Sequence, residues 1–443
     1  MTVFRAYDIR GVYGKDFTDE LALDIGRAFG STAKGTVVVG RDMRLSGETL
    51  AEKLIAGLLS TGVKVVDIGV VPTPLVYFAA NFFKYGSGVM ITASHNPSEY
   101  NGFKFIRDYM TLQGEQILEL KNIIDSKKFR KGSGRLEKKD CSLDYINFVK
   151  KHVKPERKLK VVLDSGNGMG GILAPKLLRE LGCEVIELYS KLDGRFPNHH
   201  PDPTVDKNLA DLVKEVRKQK ADFGVGFDGD ADRAGFVDDK GRIIRGDQAL
   251  ILFAREILKK QKKAKIIYEV KCSLALKEEI LKNGGIPIMY RTGHSFIKQK
   301  IKEENASLAG EMSGHFYFAD NYFGYDDAIY ATARMADLLS KTKEKMSNLI
   351  DSMPKYHSTP EIRVNCDDDK KFQVVEEVTK NLQEKGLKVI TIDGARVQYP
   401  DGWGLIRASN TQPALILRFE AKTQKRLKEI RKIIEDEVKK QLN

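Results

Sequence analysis

Thr36-Val37-Val38-Val39-Gly40 is followed, after a polar loop, by Leu50, Leu54, Ile55, Leu58 and Leu59, and then by Gly62 and Val63-Lys64-Val65-Val66. The first β-branched run reads as a strand, the leucines and isoleucine fall on one face of a helix, Gly62 ends that helix, and a second strand follows. This is a βαβ unit. The same layout recurs from Lys160-Val161-Val162-Leu163 through Gly166-Asn167-Gly168 to Gly182 and Cys183-Glu184-Val185-Ile186. It recurs again from Lys265-Ile266-Ile267-Tyr268 to Gly284 and Ile286-Pro287-Ile288-Met289. A supersecondary unit repeated along a chain builds repeated domains. Pro175 counts against the second helix unless it sits in the first turn.

From about Thr359 the pattern changes to several strands between two helices, the last with Ile434 and Val438 on its apolar stripe. The expected architecture is α/β: three tandem α/β domains of similar fold, residues 1–150, 151–250 and 251–358, followed by a smaller α+β domain, residues 359–443. The joins are placed at Lys-rich or Pro-containing segments. A chain of 443 residues, 42% hydrophobic, has the length and apolar content for several cores.

Composition narrows the function classes. No run of about 18 apolar residues is present, and Met1-Thr2-Val3-Phe4-Arg5 leads directly into polar sequence, so neither a membrane span nor a signal peptide is expected. Cys141, Cys183, Cys272 and Cys366 are scattered without metal-ligand spacing, which fits a reducing, cytoplasmic setting. The net charge of +13 favours encounter with anions. Its lysines lie largely in mixed-charge stretches such as 422–440, without the Arg/Lys and aromatic block of a nucleic-acid binder.

Four loops carry chemistry. Thr92-Ala93-Ser94-His95-Asn96-Pro97 follows the apolar run Gly88-Val89-Met90-Ile91 and holds a serine at a sheet end, yet lacks the glycines of a nucleophile elbow. Read alone, it is equally a turn. Gly226-Phe227-Asp228-Gly229-Asp230-Ala231-Asp232-Arg233 puts three carboxylates at alternate positions with a small residue in each gap, suited to one hard cation. Magnesium fits such a small set of protein oxygens. A calcium loop of the EF-hand kind is disfavoured, because its glycine and glutamate positions hold Arg233 and Asp239. Gly310-Glu311-Met312-Ser313-Gly314-His315 offers acceptors and donors to sugar hydroxyls and a histidine that can move a proton. Thr292-Gly293-His294-Ser295 is a weaker signal of the same kind. Arg407-Ala408-Ser409-Asn410-Thr411-Gln412-Pro413 is a plausible phosphate cradle, since arginine binds two oxygens at once.

Together these loops resemble the α-D-phosphohexomutase superfamily, within it the phosphomannomutase/phosphoglucomutase branch, over nearly the whole chain. Phe4-Arg5-Ala6-Tyr7-Asp8-Ile9-Arg10-Gly11, Asn101-Gly102-Phe103-Lys104, Phe196 to Pro203, and Glu269-Val270-Lys271-Cys272-Ser273 add to the likeness. The resemblance implies four domains around a central cleft, each giving one loop to it, with Ser94 phosphorylated in the resting enzyme. It implies catalysis by Ser94, His95, Lys104, Arg10 and His315, and magnesium held by Asp228, Asp230, Asp232 and Ser94. Substrate would be held by Tyr7, Arg233, Lys271, His294, Glu311, Ser313, Arg407, Ser409, Asn410 and Thr411. Gln412 departs from the glutamate usual in the family.

The function so implied is interconversion of hexose 1-phosphate and hexose 6-phosphate, of mannose or glucose, through phosphoserine and a hexose 1,6-bisphosphate. Phosphoglucosamine or phosphopentose mutase, and a magnesium-dependent sugar phosphatase, are the alternatives. The expected partners are small hexose phosphates, with no nucleic acid or membrane, and the expected state is monomer or homodimer. An open site would lose the phosphoryl group to water, so the fourth domain is expected to close as a lid.

Overall fold

The computed structural model describes residues 3–5, 8–409 and 413–442. Its strands fall into four sheets. In the first, Thr36–Arg41 runs parallel to both Lys64–Val70 and Ser87–Ile91. Tyr100–Arg107 then pairs antiparallel to Ser87–Ile91, and Ile9–Val12 pairs antiparallel to Tyr100–Arg107. The helix expected between the first two parallel strands is Gly47–Leu59. Leu50, Leu54 and Leu58 are each 0% exposed on its inner face, worth about 2 kcal/mol apiece in transfer from water.

The second sheet orders Ile243–Ile244, Ala234–Asp238, Phe223–Phe227, Lys160–Asp164 and Glu184–Leu188, with the last three parallel. The third orders Ile286–Tyr290, Lys265–Glu269, Leu308–Gly310 and Phe316–Phe318, with the first three parallel. The helices of the three βαβ units end before Gly62, Gly182 and Gly284, whose φ values of +87°, +87° and +81° lie in the left-handed region that glycine enters without strain. Pro175 lies in the interior of Gly170–Glu180, not in its first turn. It removes one backbone hydrogen bond, and the helix persists because Leu173, Ala174, Leu177 and Leu178 are buried.

The fourth sheet is antiparallel throughout, ordered His357–Ser358, Ala414–Ala421, Gly402–Ala408, Ala395–Tyr399 and Val389–Ile390, with Ile362–Asn365 also on Ala414–Ala421. The helices Lys371–Glu384 and Gln424–Leu442 pack on it, Ile434 and Val438 facing inward. Two strands precede the first of these helices, so the strands are not all enclosed between the two.

The cores explain how the units are joined. One continuous apolar cluster runs from Val38 through Leu173 and Phe253 to Met353, fusing the first three sheets. The fourth sheet has its own core around Val378, Leu417 and Ile434. Among the described residues a small apolar seam, Val270, Trp403 and Leu405, links it to the third. Hydrogen bonds between side chain and backbone reinforce the seam: Arg418 Nη1 donates to the Lys271 carbonyl (2.7 Å) and the Leu274 N–H donates to Glu420 Oε1 (2.8 Å). A small, partly polar join of this kind permits relative motion more readily than a shared core. Among the described residues no helix is long and apolar enough to cross a membrane.

Candidate active site

Three loops project from the carboxyl ends of buried strands, where open α/β sheets place their ligands. Ser94 follows Ser87–Ile91, Asp228 follows Phe223–Phe227, and Glu311 follows Leu308–Gly310. Ser94 is 2% exposed and adopts φ +51°, an uncommon conformation for a residue with a side chain. Its hydroxyl donates to Asp228 Oδ2 (2.8 Å), and His95 Nδ1 lies 3.1 Å from the same oxygen. The serine and aspartate loops meet because residue 229 is glycine. A Cβ there would stand 2.4 Å from the Ser94 carbonyl oxygen.

Asp228, Asp230 and Asp232 each offer an oxygen, all within 4.8 Å of one another and all buried. Asp228 Oδ1 accepts the backbone N–H groups of Asp232 and Arg233, both at 3.1 Å. Asp230 Oδ2 accepts from Thr73 Oγ1 (2.5 Å) and Lys104 Nζ (2.7 Å), and Asp232 Oδ2 accepts from Lys104 Nζ (2.6 Å). The other oxygens of Asp230 and Asp232 are buried without a hydrogen-bond partner among the described residues. Burial, then the neighbouring Asp232 and Asp230, push the Asp228 carboxyl well above its usual range. Orphaned carboxylate oxygens converging in a buried site fit a hard cation such as Mg²⁺.

Lys104 lies on Tyr100–Arg107 and is almost fully buried. Burial disfavours its charge, yet Asp230 and Asp232 outweigh that and hold its pKa well above the ordinary lysine value. It is a fixed cation. Burial and the cations Arg233, Arg10 and Lys104 push His95 well below the usual histidine range, so its ring is neutral. Arg10 donates to Asn96 Oδ1 (2.8 Å) and to Asp8 Oδ2 (2.5 Å), and so reaches the serine loop.

His315 ties the third sheet's loop to the aspartates. Its Nε2 accepts from Arg233 Nε (2.9 Å), which leaves the proton of the neutral ring on Nδ1, 3.0 Å from Asp326 Oδ2. Asp326 also binds Lys298 Nζ (2.9 Å). Burial opposes the Asp326 charge, but Lys298, His315 and His294 together hold its pKa well below the ordinary value. Lys298 donates in turn to His294 Nδ1 (3.0 Å), and burial followed by the Lys298 charge keeps His294 neutral.

Glu311 is 2% exposed, with Oε1 accepting the Gly293 N–H (2.8 Å) and Oε2 accepting the Tyr317 hydroxyl (2.6 Å). Ser313 is half-buried on the same turn. Lys271 Nζ lies 3.2 Å from Glu361 Oε2 and 3.8 Å from Glu269 Oε1. Arg407 Nε donates to Asp393 Oδ2 (2.9 Å), which also accepts the Thr292 N–H (3.0 Å), so the arginine loop abuts the loop bearing His294. Ser409 is buried at the end of that arginine strand. Tyr7, Asn410, Thr411 and Gln412 lie outside the described residues.

Sequence reasoning missed Asp42, Arg44, Thr73, Lys298, Asp326 and Asp393. A signal existed for the first two, because Arg41-Asp42-Met43-Arg44 is a charged run directly after a buried strand. The others are single residues in unremarkable segments.

The chain matches the four domain descriptions of phosphoglucomutase/phosphomannomutase: alpha/beta/alpha domain I over residues 1–131, domain II over 143–241, domain III over 245–356 and the C-terminal domain over 361–437. It is 46% identical over 442 residues to a phosphomannomutase/phosphoglucomutase of Pseudomonas aeruginosa, covering 99% of this chain and 96% of that one. It is 46% identical over 436 residues to a phosphoglucomutase of Neisseria gonorrhoeae, covering 97% and 95%. A crystal structure of a phosphoglucomutase/phosphomannomutase family protein from Burkholderia thailandensis superposes with a TM-score of 0.94 at 42% identity, covering 99% of this chain and 97% of that one.

Proposed function

The chain belongs to the phosphoglucomutase/phosphomannomutase family, and on that premise we propose that it interconverts the 1- and 6-phosphates of mannose and glucose with Ser94 as the phosphoryl carrier. It is a hexose-phosphate mutase. The observation that supports the serine route is the hydrogen bond from the strained, buried Ser94 hydroxyl to Asp228, inside a carboxylate cluster that needs a cation.

Asp228, Asp230, Asp232 and the Ser94 side chain would hold Mg²⁺, which when bound supplies positive charge beside the transferring phosphoryl group. Lys104 serves as a fixed ammonium that aligns Asp230 and Asp232. Its raised pKa, and the permanent charge of Arg10, leave His315 as the base of choice. As the bond from phosphorus to Ser94 breaks and a bond to the free sugar hydroxyl forms, the hydroxyl proton passes to His315 Nε2 and Ser94 Oγ departs as an oxyanion, which attacks in the return step while the imidazolium gives its proton to the departing sugar oxygen. Asp326 stabilises the resulting imidazolium through Nδ1. Arg233 leaves His315 Nε2 for the phosphate in this step.

The product is a hexose 1,6-bisphosphate, whose other phosphate returns to Ser94 after the sugar reorients. Two orientations cannot both be met by strict sugar contacts, so Lys271, His294, Glu311 and Ser313 hold the ring loosely. Arg407 and Ser409, with Asn410 and Thr411, grip the phosphate not reacting. His95 and Arg10 hold the serine loop. Tyr7 completes the substrate set. The narrow seam at Trp403 supports closure of the fourth domain over the sugar. The enzyme acts in the cytoplasm on small hexose phosphates, as monomer or homodimer, without nucleic acid or membrane.

A phosphatase with an aspartyl nucleophile is less well supported, since Asp228 Oδ2 is held by Ser94. The test is conversion of mannose 1-phosphate, glucose 1-phosphate and glucosamine 1-phosphate by wild type and Ser94→Ala. Turnover of the first two, abolished in the variant, is the expected result. Full activity in Ser94→Ala refutes the serine route.

A further inference from the structure

Ser94 sits in a conformation that its own side chain disfavours, and its carbonyl is bound by Arg44. The Arg44 side chain is 0% exposed. Nη2 donates to the Ser94 carbonyl (2.9 Å) and the Asn96 carbonyl (2.6 Å), and Nη1 donates to the Pro97 (2.6 Å) and Tyr100 (2.9 Å) carbonyls. Nε donates to Asp42 Oδ2 at 3.2 Å. A guanidinium has five N–H groups in a planar fork, and here every one finds an acceptor. One face covers the Phe196 ring of the second domain at 5.3 Å.

Asp42 extends the clamp. Its Oδ2 also accepts from Thr92 Oγ1 (2.6 Å), and that same Thr92 oxygen accepts the Ser94 N–H (2.9 Å). Both backbone polar groups of Ser94 are therefore fixed by one buried unit, Asp42, Arg44 and Thr92, which among the described residues shares no hydrogen bond or ion pair with Asp228, Asp230 or Asp232. The Ser94 carbonyl that Arg44 holds is the atom against which Gly229 packs. The direction of the Ser94 hydroxyl toward Asp228 thus follows from the position of Arg44.

We infer that Arg44 is a positioning residue for phosphoryl transfer, holding the Ser94 turn in its left-handed conformation so that the hydroxyl stays aimed at the carboxylate cluster. This rests on the serine route proposed above. Lysine cannot replace it, because an ammonium has three N–H groups for five acceptors.

The test compares wild type, Arg44→Lys, Arg44→Ala and Thr92→Val with glucose 1-phosphate. In Arg44→Lys, kcat should fall about 10- to 100-fold as the turn loosens, while KM stays within about twofold because substrate contacts are intact. In Arg44→Ala, millimolar guanidinium should restore part of kcat, and ammonium at equal ionic strength should not. Should neither Arg44 variant fold, Thr92→Val keeps the volume, removes both threonine bonds, and should lower kcat about tenfold at unchanged KM. Wild-type kcat in folded Arg44→Lys or in Thr92→Val overturns the inference. So does a loss that follows only the melting temperature and is not rescued by guanidinium. An inactive wild type, or an active Ser94→Ala, would instead refute the serine route itself.

Discussion

The ammonium of Lys104 lies 2.6 Å from Asp232 Oδ2, and the same nitrogen reaches Asp230, so a lysine from the first domain neutralises a loop from the second. Removing it leaves Asp230 and Asp232 buried without the ion pairs that Lys104 supplies. Lys104→Met should therefore destabilise the metal-free protein by about 3–5 kcal/mol. Added Mg²⁺ should recover part of that loss. Melting curves of wild type and variant, in chelator and in Mg²⁺, measure both effects, and an unchanged melting temperature in chelator contradicts the assigned role.

Asp326 faces the protonated nitrogen of His315 at 3.0 Å. Asp326→Asn takes away the charge that stabilises an imidazolium, so kcat should drop about 100-fold or more with little change in KM. Wild-type kcat in folded Asp326→Asn removes His315 as the base.

Asp327 provides a stability test independent of catalysis. Burial raises its pKa to about 6, although the Tyr330 N–H and the Tyr322 and Tyr145 hydroxyls pull it down. Since the folded pKa exceeds the unfolded one, the folded state binds more protons between about pH 4 and 6, and stability from this group is lost as pH rises through that window. The loss amounts to about 3 kcal/mol. Asp327→Asn should remove this dependence, so its stability relative to wild type should rise by that amount from pH 4 to 7 in urea unfolding. Parallel pH dependences of the two proteins contradict the raised pKa.

Gly229→Ala probes the approach of the serine and aspartate loops. The new Cβ would stand 2.4 Å from the Ser94 carbonyl, so the turn must shift. kcat should fall about 100-fold, while the fourth domain, with its own core, keeps its packing. Wild-type kcat in this variant would mean that the loop contact is dispensable.

Sequence reading succeeded where information is local. The alternation of strand, helix and glycine around Val38, Val162 and Ile267 is carried within about 30 residues, and the Asp228 to Asp232 loop declares its chemistry in a single pentapeptide. It failed where contacts are distant. Thr73 meets Asp230 across 157 residues and Arg44 meets Asn96 across 52, pairings that no periodicity encodes. Lys104 read as a candidate for proton transfer because the two aspartates that fix its charge lie 126 and 128 residues away. The two strands before Lys371–Glu384 were likewise hidden, since His357–Ser358 is too short to show alternation.

The serine route is tested most directly by the intact mass of the enzyme after incubation with a hexose 1,6-bisphosphate. The account predicts a species about 80 Da heavier, the modification localised to Ser94, discharged by hexose 1-phosphate and absent from Ser94→Ala. An active enzyme that never carries this mass, or carries it on another residue, contradicts the account.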